Sequence, residues 1–108
     1  LSEDIIETKA LARLKRKLTI ENLWIYIIKI LEKHGPLKAY EIKKKLVEVY
    51  GIKPATITVY IVVYKMKREK LLETIDIGGE TLYKPSERGL KALKEAKAIL
   101  DWVRKALE

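Results

Sequence analysis

The sequence predicts a mainly α domain carrying one small β-hairpin, an α+β arrangement, and three observations lead there. Apolar residues recur at helical spacing in successive runs that are stopped by Gly35-Pro36 and by Gly51. An alternating stretch from Leu71 to Ile77 meets Gly78-Gly79 and continues as Glu80 to Lys84, the pattern of two strands around a tight turn. A final run from Ser86 to Leu107 repeats its apolar residues at three and four, which returns the chain to helix.

From Ser2 to Leu18, residues Ile6, Ala10, Leu11, Leu14 and Leu18 share one helical face. Glu3, Asp4 and Glu7 come early and Arg13, Lys15, Arg16 and Lys17 late, the order that suits the helix dipole. Lys9, Arg13 and Arg16 line the opposite face as a basic stripe, either solvated or open to phosphates. Thr19 then reads as the cap of a second helix running to about Lys33 through Leu23, Trp24, Ile25, Tyr26, Ile27, Ile28, Ile30 and Leu31. A helix apolar nearly all round is covered on more than one side, so this one is expected at the centre of the domain or in a dimer interface. His34 closes it. Gly35 suits the left-handed position after a helix, and Pro36 cannot continue one.

A third helix spans Lys38 or Ala39 to Tyr50, with Ile42, Leu46, Val49 and Tyr50 inward and Lys43, Lys44 and Lys45 largely outward. The next stretch, Pro54 to Leu72, is ambiguous on its own. Pro54 can open a helix, because its missing N–H would be unpaired there, and Lys65, Lys67, Arg68 and Lys70 suit a helix end. Yet Ile57, Val59, Ile61 and Val63 are β-branched and alternate at period two, as in a strand. The few residues after Gly51 match the turn of a helix-turn-helix, which decides for a helix with Val59, Val63 and Met66 inward. Ile57, Ile61, Tyr64, Lys65 and Arg68 then face outward. In the last helix Leu93, Ala96, Leu100, Val103 and Leu107 form a seam, and Ala92, Ile99, Trp102 and Ala106 widen it. An arc that wide implies packing on the chain's own domain and on a partner chain.

At 108 residues and 48% hydrophobic content one domain is expected: an N-terminal helix (1–18), a core (19–85) and a C-terminal helix (86–108). The chain has no cysteine, which excludes disulfides and thiolate chemistry and fits a reducing, cytoplasmic setting. No apolar run approaches the length of a membrane span, and no signal peptide is evident. The formal charge of +8 favours anionic partners, nucleic acid above all, although the bias to Lys, Glu and Ile with one Asn and no Gln also suits a very hot environment. No phosphate loop, zinc pattern or nucleophile elbow occurs, so neither catalysis nor a metal or cofactor is expected. His34, the sole histidine, reads as a helix-end residue.

Four helices, a hairpin and a closing helix, with the hairpin directly after a helix-turn-helix, is the layout of a winged helix-turn-helix with added terminal helices. In such folds the second helix of the pair enters the DNA major groove and the wing reaches nearby backbone. The residues Gly35-Pro36-Leu37, Tyr40-Glu41-Ile42, Thr58-Val59-Tyr60, Leu71-Leu72, Gly78-Gly79, Tyr83 and Ser86-Glu87-Arg88-Gly89 fall in an order and spacing that resembles the PadR-type transcriptional regulators. The small basic winged-helix DNA-binding proteins of archaea are similar too. The resemblance runs from Leu23 to Leu107 and implies a homodimer formed through the last helix and binding duplex DNA. The family usually carries Gly where this chain has Lys70, Pro at Ile61 and a small residue at Ile57.

Two readings follow. In the first, a dimer binds double-stranded DNA as a transcriptional regulator or chromatin-associated factor. Lys53, Thr56, Thr58, Tyr60, Lys65 and Arg68 serve the groove and nearby phosphates, Lys38, Tyr40 and Lys43 hold backbone, and Gly79 and Lys84 act from the wing. In the second, the apolar outer face of the 54–70 helix, with Ile57, Ile61 and Tyr64, docks on a protein partner. RNA binding ranks third, since no array of exposed aromatics on a sheet is evident.

Overall fold

Several helix boundaries trace to one capping residue or one turn. The structure is a computed structural model and describes residues 8–108. Helix α1 (Lys9–Leu18) begins where the Thr8 hydroxyl accepts the Leu11 N–H at 3.0 Å. The helix expected from Ser2 therefore starts at Lys9; Ile6 and the acidic Glu3, Asp4 and Glu7 lie outside the described residues.

Thr19 does not cap the second helix as expected. Its hydroxyl donates back to the Lys15 carbonyl at 2.7 Å, which ends α1 and leaves a 3-10 turn (Ile20–Asn22) before α2 (Leu23–His34). Arg16 and Lys17 both reach the Glu21 carboxylate, at 3.1 and 2.7 Å, and staple α1 to that turn. After α2, Gly35 adopts φ 82 and ψ −173. The expected left-handed residue is replaced by a positive φ with extended ψ, a combination reserved for glycine.

Helix α3 (Ala39–Tyr50) opens where the Glu41 carboxylate accepts the Lys38 N–H at 2.9 Å and closes at Gly51, which is left-handed at φ 66 and ψ 18. Helix α4 (Thr56–Arg68) starts two residues beyond Pro54, because Ala55 is extended at φ −62 and ψ 148. Pro54 is buried ahead of the helix and does not open it. The β-branched residues stay helical because Val59, Val63 and Met66 fill the core along one face.

The end of α4 is closed by two bonds, Lys70 N–H to the Lys67 carbonyl at 3.0 Å and Leu71 N–H to the Met66 carbonyl at 2.9 Å. This closure needs a left-handed residue and normally takes glycine. Here Lys70 takes it, at φ 65. Strands β1 (Leu72–Ile77) and β2 (Glu80–Pro85) then pair antiparallel, with Leu72 opposite Pro85 and Ile77 opposite Glu80. Gly78 and Gly79 both take positive φ, as a tight hairpin turn requires. Leu37 exchanges two backbone bonds with Tyr83, at 2.8 and 3.1 Å, and so adds a one-residue third strand to the wing.

Ser86 joins the wing to α5 (Glu87–Ala106). Its oxygen accepts the Gly89 N–H at 3.0 Å while its hydroxyl donates to the Lys70 carbonyl at 2.6 Å. Helix α2 is central: Leu23, Ile27, Ile28, Ile30 and Leu31 meet Ile42 and Leu46 of α3, Val59, Val63 and Met66 of α4, Leu72 of β1 and Leu93 of α5. Full burial of each such side chain stabilises the fold by about 1.5–3 kcal/mol. Val49, expected inward, is exposed, because the inward arc of α3 is only Ala39, Ile42 and Leu46 wide. Tyr50 is at the rim, its ring edge-on to Tyr26 with centroids 5.0 Å apart.

The molecule extends 49 × 26 × 21 Å with a radius of gyration of 15.2 Å. A compact domain of about 100 residues has roughly 13 Å. The excess comes from α1, which rests mainly on the Ile20–Asn22 turn, and from the far end of α5. Among the described residues no helix is long and apolar enough to cross a membrane.

Candidate nucleic-acid interface

With Val59, Val63 and Met66 turned into the core, helical geometry presents Ile57, Ile61, Tyr64 and Arg68 along the opposite centreline of α4. Tyr60, Lys65 and Lys67 flank that line and are exposed. Thr56 is exposed at the first turn, Thr58 is half-buried, and Lys53 is exposed just ahead of the helix. No carboxylate occurs in α4, and its cations gather in the last turn. Among the described residues none of Lys65, Lys67 and Arg68 is ion-paired.

Helix α3 meets the start of α4 through a cleft lined by Tyr40, Lys43, Lys44, Val47, Glu48 and Thr56. Lys43 donates to the Thr56 hydroxyl at 2.6 Å across it. The first turn of α4 has no side-chain cap, so its free N–H groups and the Lys43 ammonium meet where an anionic oxygen would be stabilised, while Lys53 is exposed just ahead of the helix and lines the neighbouring groove under α1.

Lys38 stands at the start of α3 with its ammonium 5.7 Å from the centre of the Tyr40 ring and 2.5 Å from the Glu80 carboxylate on β2. The hydrogen bond to Glu80 holds the Lys38 pKa above its ordinary value. Lys84 lies 3.5 Å from Glu73 across the hairpin, and Gly79 is at its tip. The sequence-predicted residues thus fall into two groups. Tyr40, Lys43, Lys53, Thr56, Thr58, Tyr60, Lys65 and Arg68 share the α3–α4 surface, whereas Lys38, Lys84 and Gly79 go with the wing, each of the two lysines neutralised by a wing carboxylate. Reasoning from sequence missed Glu73 and Glu80 as their partners, and missed the Leu37–Tyr83 bridge. No local signal marked the bridge, because it depends on the hairpin folding back over Leu37.

The predicted seam of α5 divides as well. Leu93 is buried in the chain's own core, Ala96 is half-buried, and Leu100, Val103 and Leu107 are exposed. Ile99 and Trp102 are more exposed than Leu100 or Val103, and an apolar groove lined by Ile25, Tyr26, Leu93, Ala96 and Leu100 runs between α2 and α5. On α1, Leu11, Leu14 and Leu18 are also exposed.

A helix-turn-helix whose second helix is presented beside a hairpin wing defines a winged-helix protein, with a helix added at each end. No protein-family model and no curated protein matches the chain in sequence. Solved structures do match in fold. A PadR family transcriptional regulator from Eggerthella lenta superposes with a TM-score of 0.68 at 24% identity, over 92% of this chain and 93% of that one. A protein from Thermoplasma acidophilum described as a transcriptional regulator gives 0.66 at 27% identity, over 88% and 91%. A winged-helix DNA-binding protein of the virus STIV gives 0.66 at 18% identity, over 76% and 89%. The resemblance read from the sequence, to PadR-type regulators and small winged-helix DNA-binding proteins, is matched by the fold.

Proposed function

We propose that the chain binds double-stranded DNA as a homodimeric winged-helix protein of the cytoplasm, acting as a transcriptional regulator or a chromatin-associated factor. The observation that carries this reading is α4: a helix whose inner face is locked in the core, whose outer face is free, and whose cations are unpaired among the described residues, in a chain of charge +8. Thr58, Tyr60, Ile57, Ile61 and Tyr64 enter the major groove. Lys43, Lys53 and Thr56 hold phosphate at the uncapped start of α4, and Lys65 and Arg68 hold it at the other end. Tyr40 lies beside the backbone. Lys84 and Gly79 contribute from the wing and Lys38 from the start of α3, each lysine as phosphate competes with its carboxylate partner. A second copy covers Leu100, Val103 and Leu107, with α1 assisting.

Titration of the full chain with random and genomic duplex across a salt series tests the reading. Binding that weakens steeply with salt is expected. No binding at low salt, or binding indifferent to salt, rules it out. A large preference for particular fragments marks a regulator, and a small one an architectural protein.

One observation favours a second reading, in which the face docks on a protein. Ile57, Ile61 and Tyr64 are 67%, 47% and 62% exposed, an apolar stripe unusual for a groove reader. Polar replacement of Ile57 and Ile61 that abolished a protein partnership and left DNA binding intact would establish it.

A further inference from the structure

We infer that α4 reads thymine, with Ile57, Ile61 and Tyr64 packed on the C5 methyl groups that thymine presents in the major groove. The inference rests on the DNA-binding reading above and specifies what that surface recognises. It follows from which base contacts the chain can and cannot make.

Adenine is read in the major groove by a side-chain amide that bonds its N6 and N7 together. The chain has one Asn and no Gln, and that Asn22 donates to the Lys17 carbonyl at the corner between α1 and α2. Guanine is read by Arg or Lys. On α4 these occur only in the last turn, as Lys65, Lys67 and Arg68, whereas the N-terminal turns of such a helix are the ones that meet base edges. Cytosine is read by a carboxylate, and α4 has none. Thr56 and Thr58 can bond more than one base and so select none, which leaves apolar burial of the thymine methyl group as the discriminating contact; Ile57 and Ile61 in the first turns of α4 offer the residues for it, and Tyr64 continues the stripe.

Ile57, Ile61 and Tyr64 stand at spacings of four and three, so they form one continuous stripe, with Tyr60 beside it. The surroundings select the occupant. Lys43 and Lys53 at one end and Lys65, Lys67 and Arg68 at the other flank the stripe with positive charge, which complements a polyanion that carries apolar groups in its groove. The same side chains that are costly to expose to water become covered when methyl groups fill the stripe.

The test compares a short alternating thymine–adenine duplex with the same duplex in which deoxyuridine replaces every thymine, at one low salt concentration. Removing the methyl groups is expected to weaken binding by the wild-type chain roughly ten-fold. The exposed double variant Ile57→Ser/Ile61→Ser is expected to bind both duplexes equally, which separates methyl contact from any change in duplex shape. Equal binding of the two duplexes by the wild type overturns the inference and leaves the DNA-binding reading standing. Full discrimination retained by the variant also overturns it, because the methyl groups are then sensed elsewhere on the chain. Failure to bind either duplex removes the DNA-binding reading itself, and the inference with it.

Discussion

Gly89 passes directly beneath the Leu71 carbonyl: a Cβ at position 89 would stand 2.1 Å from that oxygen and 3.0 Å from the Ile28 side chain. The neighbour is backbone, held by the Ser86 N–H at 3.1 Å, so it cannot turn aside. Gly89→Ala should therefore destabilise the fold by about 3 kcal/mol or more, above the usual range for overpacking. Ser86→Ala, which removes the cap of α5 and the bond to Lys70, should cost about 1–2 kcal/mol. Urea unfolding of both variants checks the order, and a Gly89→Ala midpoint equal to wild type would contradict the close approach.

Lys70 gives the opposite expectation. A side chain at φ 65 carries a left-handed cost of about 1–2 kcal/mol, partly offset by the added chain entropy that glycine brings. Lys70→Gly should raise the unfolding midpoint by the equivalent of up to about 1 kcal/mol, since both helix-closing bonds remain. A lower midpoint would mean that the lysine side chain stabilises the corner.

The staple at Glu21 is sensitive to acid. Hydrogen bonding from Lys17 foremost, and from Arg16, lowers the Glu21 pKa below its ordinary value. A carboxylate depressed in the folded state adds stability above its unfolded pKa and loses it as pH falls through the folded one. Amide exchange in α1 should then quicken relative to α2 on moving from neutral pH to below the ordinary glutamate range. Glu21→Gln should reproduce the change at neutral pH; unaltered protection in both cases would show the staple to be idle.

For the proposed dimer, Leu100→Lys should give a monomer by light scattering while keeping the wild-type helix content, because Leu100 contributes little to the chain's own core. An unchanged dimer mass would move the contact elsewhere on α5 or to α1.

Much of this architecture was legible because several local signals agreed. The Gly51 turn before α4 and the hairpin after it resolved its helix-or-strand ambiguity, and Gly78-Gly79 with the alternation around it marked that hairpin. The misplacements have separate physical causes. Thr19 can cap forward or bond backward, and the Lys15 carbonyl won. Pro54 can start a helix, yet Ala55 remained extended and the start moved to Thr56. Val49 fits an inward pattern only if the helix beside it is broad enough to cover it. Within the candidate site the outward stripe of α4 could be read from helical spacing alone. The pairing of Lys38 with Glu80 could not, because it depends on how the hairpin folds back over a segment more than forty residues away.

That folding back has a mechanical result. Leu37 is bonded to Tyr83 in both directions, so the hairpin is tied to the start of α3 by backbone alone. Lys38 and Glu80 form a partly exposed pair one residue further on, which a competing anion can open without releasing that tie. An anion drawn to Lys38 would therefore uncover the Glu80 carboxylate and leave the wing where it is.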